Sequence, residues 1–148
     1  MPIPKQVPET AAQQLMRALV QTESPWVNLM KRLLTPEACQ HIFDYVRING
    51  DTEVNEAIHI FRASRDGWSG VDFHRLCDGQ GPTLCLVQSE EDYMSAGFTS
   101  KAWTSPKKCP DVEDASACVF ALTGTLQVFK TKNPKEAVRH HRWYGPGW

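Results

Sequence analysis

The hydrophobic period of this chain changes at Asn49-Gly50, and that change restricts the folds open to it more than any other feature. Ahead of it, apolar residues return every three or four positions. Behind it they come in short runs parted by glycine, proline and acidic turns. Ala12, Leu15, Met16, Leu19 and Val20 make one helical stripe that stops before Ser24-Pro25, and Trp26, Leu29, Met30, Leu33 and Leu34 make a second. The clearest boundary follows. Thr35 is a good N-cap, Pro36 takes the first helical position, where its missing N–H is no loss, and Glu37 suits the positive end of the helix dipole. Ile42, Phe43 and Val46 give that helix an apolar face, and Asn49-Gly50 ends it. Core packing explains such stripes more simply than docking to a partner helix.

Past Gly50, Ile58-His59-Ile60-Phe61 reads as a short strand, and Ser69 as the cap of a short helix carrying Val71, Phe73, His74 and Leu76. Asp78-Gly79-Gln80-Gly81-Pro82 is a dense turn signal. Residues 83–88 and 93–99 then form a hairpin about Glu90-Glu91-Asp92, and 118–122 and 126–130 a second strand pair about Thr123-Gly124-Thr125. The expected class is α+β: an antiparallel, β-sandwich-like core with N-terminal helices. The expected organisation is a helical arm and lead-in over 1–57 and a β-rich domain over 58–148.

Composition narrows the function. The 148 residues carry a formal net charge of -1, which argues against a generic nucleic-acid-coating protein, since that would show a basic excess. A 41% hydrophobic and 9% aromatic content argues against disorder. No apolar run approaches the roughly 18 residues of a membrane span. Met1-Pro2-Ile3-Pro4-Lys5-Gln6 lacks a secretory apolar core, so the expected setting is intracellular, most simply cytoplasmic, with organellar import left open. The 5 cysteines (Cys39, Cys77, Cys85, Cys109 and Cys118) are odd in number and include no Cys-x-x-Cys, which reads as reduced thiols.

Catalytic signatures are absent: no nucleophile-elbow Gly-x-Ser-x-Gly, no phosphate-cradling loop, no dinucleotide fingerprint and no His-Glu-x-x-His. Gly79-Gln80-Gly81 precedes a strand instead of a helix, so no helix N-terminus waits there for a phosphate. His74 and Cys77, with Asp78 adjacent and Cys109, Cys118, His140 and His141 elsewhere, supply one loose pair where a structural zinc site needs two compact ones. Cys77 has His74 one helical turn away and Arg75 beside it, the one arrangement here that resembles an activated thiol, and it lacks a third orienting group. Lys130, Lys132, Lys135, Arg139 and Arg142, near His140, His141, Trp143 and Tyr144, offer a conceivable RNA contact, though a solvated basic face is the simpler reading. The expectation is therefore no catalytic residues, no cofactor and no metal.

One ordered set of short motifs carries a family likeness. Asp66-Gly67-Trp68-Ser69, Phe73-His74 and Cys77-Asp78-Gly79-Gln80-Gly81-Pro82-Thr83 come first. Tyr93-Met94-Ser95-Ala96-Gly97-Phe98-Thr99-Ser100, Trp103-Thr104-Ser105, Asp114-Ala115, Lys132-Asn133-Pro134 and Tyr144-Gly145-Pro146 follow. Together they resemble the TLDc domain family in its protist-type form, with Ala96-Gly97 where the family usually has two glycines. The resemblance implies a two-sheet antiparallel core with peripheral helices and a non-catalytic protein-binding role. It further implies an association with protection against oxidative stress and with the vacuolar-type proton ATPase (V-ATPase). An accessory subunit of a large assembly is the alternative. Glycines at 67 and at 79 or 81 suit backbone conformations other residues resist, and Trp68, Trp103 and Phe120 suit a sandwich core. The family runs on past Tyr-Gly-Pro with further strands, whereas this sequence ends at Trp148. Uncharged strands at 83–88 and 118–122 would make poor sheet edges, so a partner chain is expected to add a strand or pack across the sheet.

Overall fold

In the computed structural model, residues 34–50, 58–141 and 144–146 are described. The helical stripes read over 10–33 and the residues Arg142 and Trp143 lie outside them. Helix α1 (Pro36–Asn49) begins as its caps dictate, with Thr35 Oγ1 accepting from the Ala38 N–H at 3.2 Å, and ends where the Gly50 N–H bonds the Val46 carbonyl. It buries Ala38, Cys39, Ile42, Tyr45 and Val46. A single turn, α2 (Ala63–Asp66), leads to α3 (Gly70–Cys77), whose start is a reciprocal capping box between Ser69 and Asp72. Gly67 stands between them at φ 117°, and a Cβ there would meet the Asp72 carboxylate at 2.1 Å, so this corner requires glycine.

Six strands follow: β1 (Thr83–Gln88), β2 (Met94–Thr99), β3 (Asp111–Val112), β4 (Cys118–Ala121), β5 (Gln127–Lys130) and β6 (Val138–Arg139). Four form an antiparallel sheet in the order β1-β2-β4-β5, and β3 pairs with β6 in a small second ladder. The class is α+β, as the period change requires.

The pleat divides the sheet's side chains. Leu84, Leu86, Ala96, Phe98, Cys118, Phe120 and Val128 face α1 and join its apolar residues in one core. Phe120 is fully buried there, with the Tyr45 ring edge-on at 5.5 Å. The opposite face carries one row of Cys85, Gly97, Val119 and Phe129, and a second of Val87, Ser95, Ala121 and Gln127. Cys85 packs into a second core with Phe73, Cys77, Trp103, Val112 and Val138, so α3 and the β3–β6 ladder cover that end of the face. Val87, Val119 and Phe129 stay 56%, 37% and 54% exposed.

Three expectations need correction. Residues 58–61 form no strand: Ile60 and Phe61 pack directly against the second core, and the His59 ring turns back to the Phe61 carbonyl at 3.0 Å. Trp68 is not a core residue but 84% exposed, because the cap at Ser69 turns the chain before Trp68 can point inward. The strand at 118–122 is not an edge, since β4 is paired on both sides; β1 is the uncharged edge.

Asp114 closes the far end of β2. It is 2% exposed and accepts from Thr99 Oγ1 at 2.6 Å, from the Ser100 N–H at 2.8 Å and from the Ser116 N–H at 3.0 Å. Burial alone would push its carboxyl up, but hydrogen bonds from Ser116, Thr99 and Ser100 outweigh it and hold the group below the ordinary carboxylate range. A depressed acid stabilises the fold at neutral pH and loses that contribution as pH falls below about 4. Asp114→Asn should therefore cost about 1–3 kcal/mol near neutrality and flatten the acid limb of stability against pH, as read by urea unfolding. An unchanged acid limb would remove this role.

Candidate functional site: the junction around Trp103

The motif residues that looked scattered along the chain meet around one indole. Trp103 is 1% exposed, with Phe73 at 5.5 Å and His140 at 5.3 Å between ring centroids. Its Nε1–H donates to Thr83 Oγ1 at 2.8 Å. Its backbone is held on both sides: the Gly79 N–H donates to the Trp103 carbonyl at 2.9 Å, and the Trp103 N–H to the Gln80 carbonyl at 3.2 Å. Gly81 lies so close that a Cβ would stand 2.7 Å from the Ala102 nitrogen, which fixes glycine there. Pro82 follows through a cis peptide bond into β1.

His74 and Asp78 form the polar side of the junction. His74 is 6% exposed, and its Nδ1 lies 2.7 Å from Asp78 Oδ1. Its Nε2 faces two backbone carbonyls, those of His141 at 2.7 Å and Tyr144 at 3.0 Å. The other Asp78 oxygen accepts a short hydrogen bond from Ser105 Oγ. Beside them His140 Nδ1 meets Thr104 Oγ1 at 2.7 Å, while its buried Nε2 has no hydrogen-bond partner among the described residues. Burial, and after it the charge of His74, holds the His140 ring below the usual histidine range.

Other motif positions serve the frame. Asp66 is paired with Arg65 and accepts from the Arg62 N–H at 2.8 Å, holding its carboxyl down to about 2. Gly97 lies within the sheet, and Gly145 and Pro146 follow the Tyr144 carbonyl half-buried. The sequence reading missed the roles of Ser105 and Asp114, although Asp114 two residues ahead of Ser116 is a local side-chain-to-backbone turn signal.

The chemistry proposed for Cys77 loses its parts. The thiol is buried, and desolvation, with the nearby Asp78 and Asp66 charges, pushes it up to about 11. Both nitrogens of His74 are engaged elsewhere. Among the described residues no three His, Cys, Asp or Glu side chains gather as metal ligands. The basic residues sit on different elements. Lys130 lies over the Tyr45 ring at 5.6 Å, and Arg139 pairs with Asp111 at 2.7 Å; Lys132 and Lys135 are exposed.

Fold and junction together define an α+β domain with a β-sheet core whose turn residues frame a buried tryptophan. The chain belongs to the TLDc domain family, whose model matches residues 27–142. No curated protein and no solved structure matches it.

Thiol labelling tests the junction's dryness. Cys109 is exposed and should react at once with an alkylating reagent, whereas Cys77 and Cys85, the latter pushed up to about 12 by burial, should react only on unfolding. Intact-mass counting of adducts on the native protein reads the difference; rapid Cys77 modification would contradict the described packing.

Proposed function

We propose that this chain is a protein-binding module that performs no chemistry of its own, within the family's association with oxidative-stress protection and the proton ATPase. Membership of the TLDc family supports an interaction role. Among the described residues no helix is long and apolar enough to cross a membrane. The observation that carries the reading is the half-exposed sheet face, where Val87, Val119 and Phe129 surround Ser95, Gly97 and Ala121. Exposed apolar groups grouped on one sheet face mark an interaction surface more than scattered ones do. The exposed turn Glu90-Glu91-Asp92 borders the same end of the sheet. The fitting occupant is thus a protein segment with bulky apolar side chains and a flanking basic residue.

The edge position of β1 favours the second reading, an accessory subunit completed by a neighbour, because among the described residues β1 is paired on one side only. Affinity capture with the native chain separates the two. Proton-ATPase subunits support the first, and one unrelated stoichiometric complex supports the second. Phe129→Asp should cut capture at least about tenfold while moving stability by no more than about 0.5 kcal/mol, as for other exposed positions. Ile48→Asp, exposed on α1, is the control that should leave capture intact. Equal loss in both variants, or in neither, would sink the assignment of this face.

A further inference from the structure

The hydrogen-bond inventory at His74 fixes a proton. A neutral imidazole donates from one nitrogen and accepts at the other. Here both nitrogens face acceptors: the Asp78 carboxylate at 2.7 Å on one side, and the His141 and Tyr144 carbonyls at 2.7 and 3.0 Å on the other. The remaining Asp78 oxygen is also an acceptor, taking the Ser105 hydroxyl proton. The arrangement is satisfied only when the His74–Asp78 pair holds one proton more than a neutral ring beside a free carboxylate. That holds whether the proton rests on Nδ1 or is carried across to Oδ1.

We propose that this shared proton is a pH-sensitive latch that ties the backbone at His141 and Tyr144 to α3. When solvent takes the proton, His74 keeps a single N–H. The hydrogen bond to a charged carboxylate is the stronger of the two on offer, so that N–H stays at Nδ1 toward Asp78. Nε2 then turns a lone pair toward two carbonyl oxygens, and the contact changes from attraction to repulsion. The latch is closed at lower pH and opens as pH rises.

The groups facing the ring set its environment. Asp78, the residue after α3, meets Nδ1, His140 just after β6 feels the charge of the ring, Cys77 lies three residues along the same helix, and Ser105 reaches the ring through Asp78. Cys77 stays a neutral thiol, and His140 is held neutral by burial and by the His74 charge, so neither competes for the proton at neutral pH. The Phe73 ring, edge-on at 5.3 Å, shields the imidazole from water.

The test uses the whole chain, labelled with ¹⁵N, between about pH 5 and 8. Imidazole ¹⁵N shifts report the His74 proton count. Exchange of the Tyr144 amide, which donates to the His141 carbonyl at 3.3 Å, reports the contact that the latch holds. Tyr144 protection should fall at least about tenfold beyond the intrinsic exchange rise as the ring loses its proton, while β2 and β4 amides stay protected. Asp78→Asn offers Nδ1 an amide N–H donor, so a neutral ring can keep its own N–H toward the carbonyls and the pH-dependent fall in Tyr144 protection should be lost. A ring that stays a neutral tautomer throughout would overturn the proposal. So would a ring that titrates while Tyr144 protection holds, or sheet amides that lose protection together with Tyr144.

Discussion

Everything in the second core depends on one buried donor. An indole this enclosed must place its N–H, and Thr83 at the first position of β1 accepts it. That single bond ties the 103 segment to the edge of the main sheet. The backbone hydrogen bonds to Gly79 and Gln80 tie the same segment to the turn that ends α3. The turn residues are constrained by this approach: with a Cβ at position 81 the two chains could not come together, and the indole could not reach Thr83. These positions solve one packing problem jointly, and all lie within the range the family model matches.

The sequence made the locally specified parts legible. Helix α1 was readable to the residue because Thr35, Pro36 and Gly50 each act within one turn of their own position. Both hairpins were readable because alternation and turn residues agree. Ile58-His59-Ile60-Phe61 misled because four apolar-rich residues specify burial but not a hydrogen-bonding partner. The two-residue strands β3 and β6 have no periodicity to read, and their pairing rests on Asp111 meeting Arg139 across 28 positions. Trp68 misled for another reason. Side-chain size predicts burial only on average, and the capping box fixes the chain direction first. For the candidate site, the motif residues were visible, whereas their convergence on Trp103 is a tertiary fact that spacing does not contain.

Polar burial follows one rule at two places. Asp114 lies in the loop between β3 and β4, and His74 in α3 faces the loop carbonyls of His141 and Tyr144, so backbone N–H or C=O groups are available to meet both. A buried carboxylate or imidazole without such partners would be costly. The cysteines show the opposite case. Cys39, Cys77 and Cys118 are buried, and burial is the largest cause that pushes their thiols up, Cys118 to about 12. They behave as small hydrophobes. The same chain therefore holds Asp114 down with several hydrogen-bond donors, whereas burial outweighs the single Tyr45 donor at Cys118 and keeps that thiol up.

The two faces of the sheet differ in what they leave unfilled. Toward α1 the pleat presents Leu, Phe and Val side chains that interlock with a helix. On the other face Ser95, Ala121 and the buried Gly97 make a low floor among three larger groups, Val87, Val119 and Phe129. Packed layers stand about 10 Å apart because side chains from both sides fill the space between them. A floor of Gly, Ser and Ala fills little of its half. Whatever lies on this face must bring the bulk itself, and a smooth or small-residue surface would leave a void whose lining loses contacts on one side. If this face binds a protein as proposed, the floor favours large apolar side chains pointing into it, independently of how that partner's backbone runs.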